Sequence, residues 1–97
     1  MEMAQDTPDA DRVARVIAEN VYAAFCRRAT MPAHPLEEQT ILARLVEAIR
    51  PQIGRGAPGA IVEAANAALS AWEQRDPDIR GPRVVAVNPV DGAVTLG

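Results

Sequence analysis

The chain has 97 residues, 48% of them hydrophobic, and a net charge of −3 from ten Arg against 13 acidic residues, with no Lys. That length makes one small domain, and a pI near 5.0 argues against a phosphate-backbone binder, which carries a basic patch and a high pI. Cys26 is the only cysteine, which rules out an intramolecular disulfide and any multi-cysteine metal site.

Tyr22, Phe25 and Trp72 are the only aromatic residues, so Leu, Ile, Val and Ala must fill most of the core. The N-terminal stretch Met1-Glu2-Met3-Ala4-Gln5-Asp6 is acidic and lacks the apolar segment of a signal peptide. No run approaches the ~18 apolar residues of a membrane span. The expected setting is a soluble, cytoplasmic protein.

Residues 1–7 form a polar N-terminal segment ahead of a predicted three-helix body over 8–76. Proline at the first helical position marks each helix start, because its missing N–H costs nothing there and its φ is already helical. Thr7-Pro8 opens the first helix, His34-Pro35 the second and Ala57-Pro58 the third. Asp9 and Asp11, and then Glu37 and Glu38, sit in the positive first turns. Pro32, Gly54 and Pro77 mark the stops, which predicts helices over about 8–29, 35–53 and 58–75. Pro51 falls inside the second span, where it kinks the helix or ends it early.

Helical periodicity assigns the faces. On the first helix, Val13, Val16, Ile17, Val21 and Ala24 make the main apolar stripe, and Ala18, Tyr22, Phe25 and Ala29 extend it around the flank. So wide an arc calls for cover on two sides. The second helix has Ile41, Leu42, Leu45, Val46, Ile49 and Ile53 on one side, with Arg44, Glu47 and Arg50 turned away. The third gathers Ile61, Val62, Ala65, Leu69 and Trp72 beside a line of small residues, Ala60, Ala64, Ala67 and Ala71. That line reads equally as a close-packed interface or as filler by the best helix former.

After the turn-rich linker Asp76-Pro77-Asp78-Ile79-Arg80-Gly81-Pro82 the pattern changes. Val84, Val85 and Val87 are β-branched and favour extended backbone. Asn88-Pro89-Val90-Asp91-Gly92 is a turn cluster, and Val94-Thr95-Leu96 resumes the extended pattern. The fold expected is mainly all-α: a small three-helix bundle with a C-terminal extended arm or β-hairpin over 77–97. A lone two-stranded hairpin is marginal in water, so this tail must lie on its own bundle or pair with another chain.

No catalytic constellation emerges. Gly54-Arg55-Gly56-Ala57-Pro58-Gly59 matches G-x-G-x-x-G, but a helix precedes it where a dinucleotide site needs a strand. It reads as a helix cap and flexible turn. Helices two and three resemble a helix-turn-helix, yet the third offers Asn66 and Gln74 alongside Glu63 and Glu73, a poor set for base edges. His34 has no partner ligand, and Cys26 has no base at a helical neighbour position. Arg27-Arg28 and Arg80/Arg83 are the basic clusters, each at an element end, and the first pair complements a helix C-terminus.

The chain is therefore expected to be no enzyme and to need no cofactor, metal or small-molecule substrate. Its expected role is a small structural or adaptor subunit of a larger protein assembly, such as a phage or other protein particle. Partners would be proteins, including copies of itself, rather than nucleic acid or membrane. The residues expected to bind them are Tyr22 and Phe25 on the first helix, and Val84, Val85, Val87, Val94 and Leu96 in the tail. Cutting the chain at residue 83 is accordingly expected to leave a folded helical body. The alternative is a regulatory binding protein, an antitoxin, inhibitor or small transcription factor, gripping one heterologous target. Stoichiometry separates the two, since an assembly subunit forms larger symmetric objects.

Overall fold

The computed structural model describes residues 8–30, 38–53, 58–88 and 90–97. In chain order these form α1 (Pro8–Arg28), α2 (Glu38–Ile49), a short 3-10 turn (Arg50–Gln52), α3 (Pro58–Arg75), β1 (Val84–Val87) and β2 (Val94–Leu96). The predicted bundle with a C-terminal hairpin is the observed fold. Pro51 ends α2 early: the α-helix stops at Ile49 and the backbone tightens into the 3-10 turn. The predicted starts at His34-Pro35 and the glycine run through Ala57 lie outside the described residues.

Packing follows periodicity most closely on α2. Ile41, Leu45 and Ile49 are fully buried, Leu42, Val46 and Ile53 are half-buried, and Arg44, Glu47 and Arg50 face water. Leu45→Ala should therefore cost about 2–5 kcal/mol through lost transfer energy and the cavity left behind. Arg44→Ala, on the outer face, should stay under about 0.5 kcal/mol. Thermal melts of the two variants that coincided would refute these faces. On α3, Ile61, Ala65, Leu69 and Trp72 are buried, while Ala67 and Ala71 are exposed and Ala60 and Ala64 half-buried.

The α1 arc is centred differently from the predicted stripe. Ala14, Ile17, Ala18, Val21 and Phe25 are fully buried, whereas Val16 keeps 37% of its surface and Ala24 is half-buried. Two neighbours explain the shift. α2 packs along one side of α1, and β2 lies along the other. The hairpin thus takes the place a fourth helix would occupy, with β1 on α3 and β2 on α1. The linker is anchored too: Thr30 and Arg80 exchange backbone hydrogen bonds at 2.6 and 3.1 Å, and Ile79 joins the core.

β1 and β2 pair antiparallel, Val84 with Leu96, Ala86 with Thr95 and Val87 with Val94, leaving a bulge at Val85. The bulge is what makes the hairpin fit. In a regular strand, residues 84 and 87 would point to opposite faces; one extra residue between them turns both valines inward. Val84 and Val87 are accordingly buried, and Val85 and Ala86 are both exposed. At the turn, Gly92 has φ of 78°, and a Cβ there would sit 2.6 Å from Val16 Cγ1. Glycine alone lets the turn rest on α1 at that distance.

Candidate functional site

Six of the seven residues expected to bind partners are packed within the chain itself. Phe25, Val84 and Val87 belong to the buried core, and Tyr22, Val94 and Leu96 are half-buried against it. Tyr22 and Phe25 flank Trp72, their ring centroids 6.0 and 5.7 Å from the indole. Such aromatic contacts add about 0.5–1.5 kcal/mol each beyond their area. The wide apolar arc of α1 and the apolar tail, each unexplained when considered alone, cover one another. Val85 is the exception, with 59% of its surface exposed.

Strand pairing with a further chain would need an open backbone edge, and a helix side chain bonds one residue on each edge of this hairpin. On β1, Asn66 of α3 donates to the Val84 carbonyl at 3.0 Å and accepts from the Val84 N–H at 2.8 Å. One side-chain amide thereby acts as a stand-in for a neighbouring strand. On β2, Arg28 of α1 donates to the Leu96 carbonyl at 3.2 Å, and in the turn before it Asn20 donates to the Gly92 carbonyl at 2.7 Å. Blocking exposed edges in this way protects a sheet from unwanted pairing.

Glu73 and Arg83 lock the linker to α3. Arg83 donates through Nη2 to Glu73 Oε1 at 2.7 Å and through Nη1 to Oε2 at 3.1 Å, a bidentate pair. Nη2 also reaches Ser70 Oγ at 3.2 Å, and Gly81 N–H donates to Glu73 Oε2 at 3.0 Å. Hydrogen bonding from Arg83 holds the Glu73 carboxyl below its ordinary range despite the opposing effect of desolvation. The same bond raises the Arg83 guanidinium above its usual value. Stability from a depressed carboxylate is present above the unfolded pKa and lost as pH falls through the folded one. Glu73→Gln should thus lower the melting temperature at neutral pH, and the gap to the native chain should begin to narrow only below the ordinary Glu value of about pH 4.3, shrinking further as pH falls. A gap that stays constant from pH 7 to pH 3 would remove charge from the explanation.

These polar groups line a hollow with Gln74, Pro77, Ile79 and Arg80, but each has a structural partner in holding the linker. Among the described residues, no group of three or more His, Cys, Asp or Glu is placed to hold a metal ion. No described helix is long and apolar enough to cross a membrane. Cys26 is half-buried and packs against the core. His34 lies outside the described residues.

What the described surface does present is a small apolar set: Val16 at 37% exposure, Val85 at 59% and Val90 at 90%. Val16 and Val90 share a shallow hollow with Arg12, Val13, Asp91 and Gly92, where the hairpin turn meets α1. Neither Val16 nor Val90 was singled out for partner binding from sequence. Val16 stood on the predicted core stripe, and Val90 sat inside a turn cluster. The turn cluster was legible but its placement was not: Gly92 rests against Val16 of α1, and Val90 in the same turn is exposed. Comparison with protein-family models, curated proteins and solved structures finds no match.

Proposed function

We propose that this chain is a non-enzymatic structural or adaptor subunit of a multi-subunit protein assembly, a phage or other protein particle being the type in mind. It would meet its neighbours through the exposed edge of α1 and the outward face of the hairpin. The observation that carries the reading is the location of the exposed large apolar side chains. Val16 lies on α1, and Val85 and Val90 lie on the hairpin and its turn. The bulge turns Val85 outward, and from Val84 to Gly97 the only charged side chain is Asp91. A weakly charged face with isolated apolar side chains suits a protein neighbour better than a phosphate backbone or a polar substrate. The contact would be face to face, because Asn66 of α3 already takes both backbone groups of Val84 and Arg28 of α1 reaches the Leu96 carbonyl.

Light scattering on the purified chain tests this directly. The native protein should run well above its 10.4 kDa monomer mass at micromolar concentration or above. Val85→Asp combined with Val90→Asp should reduce that mass to the monomer's. Because both sites are exposed, each substitution should shift stability by no more than about 0.5 kcal/mol. A native chain that stays monomeric at every concentration would overturn self-assembly. An unchanged mass for the double variant would move the contact elsewhere.

A further inference from the structure

We draw no further inference here: the strongest candidate, the cleft between α1 and α2 floored by Ala18, Leu42 and Val46 and rimmed by Arg15, Glu19 and Glu47, is an unpartnered apolar face, and nothing in the structure shows what covers it.

Discussion

Removal of residues 83–97 should unfold the chain rather than leave a stable three-helix bundle. The expectation from periodicity alone was the reverse, and the packing of the hairpin is the reason for the change. Val84 and Val87 are core residues, and Val94 and Leu96 pack on the same cluster. Losing a fully buried valine removes about 1.5–3 kcal/mol of transfer energy. Two such losses, about 3–6 kcal/mol, are comparable only with the lower end of an ordinary domain's stability, about 5–15 kcal/mol. The cut also bares the apolar faces of α1 and α3 that the hairpin covers, strips Asn66 of its backbone partners and breaks the Glu73–Arg83 pair. Circular dichroism during a thermal melt provides the readout. The truncated chain should show reduced helix and a broad, non-cooperative transition. A sharp transition near that of the full chain would mean that the hairpin is a dispensable arm.

The parts of this fold legible in the sequence were those governed by local chemistry. Proline at Pro8 and Pro58 placed helix starts, and Pro51 marked where α2 gives way to a tighter turn. Valine-rich segments at Val84–Val87 and Val94–Leu96, separated by a turn cluster ending in Asp91-Gly92, foretold a hairpin. The unread parts depend on contacts across the chain. Val84 and Val87 share a face only because of the bulge, and no period-2 or period-3.6 pattern carries that information. Ile79 looked like a linker residue and is fully buried. Asn66, which a helix-turn-helix would aim at base edges, spends its amide on Val84. Its mid-helix position was a clue, since asparagine there weakens a helix unless its side chain has other work. The candidate surface was least legible of all, because exposure is what remains after packing is settled. The elements nominated, α1 and the tail, are the same in both readings; the residues, apart from Val85, are not.

Phe25→Ala gives the clearest contrast between a residue that binds a neighbour and one that holds the fold. The sequence puts Phe25 on an apolar flank of α1 that needs cover, and among the residues expected to bind a partner. In the structure it is fully buried, tilted 39° against Trp72 and overlain by the linker backbone. A Cβ on Gly81 would lie 2.6 Å from Phe25 Cε2, so the chain passes directly over the ring. Thr30–Arg80 pairing and the Glu73–Arg83 lock pin that stretch of backbone at either side, which limits its collapse into the space the ring leaves. The cost should therefore fall at the full value for a buried Phe, about 3–5 kcal/mol. For a chain of this size that is a fall of about 12 °C or more in melting temperature. Trp72 emission should change at the same time, because the indole loses a packed neighbour. Below its melting point the variant should keep the oligomeric mass of the native chain. A variant that melts normally but runs at a lower mass would return Phe25 to an interface and place its burial here in error.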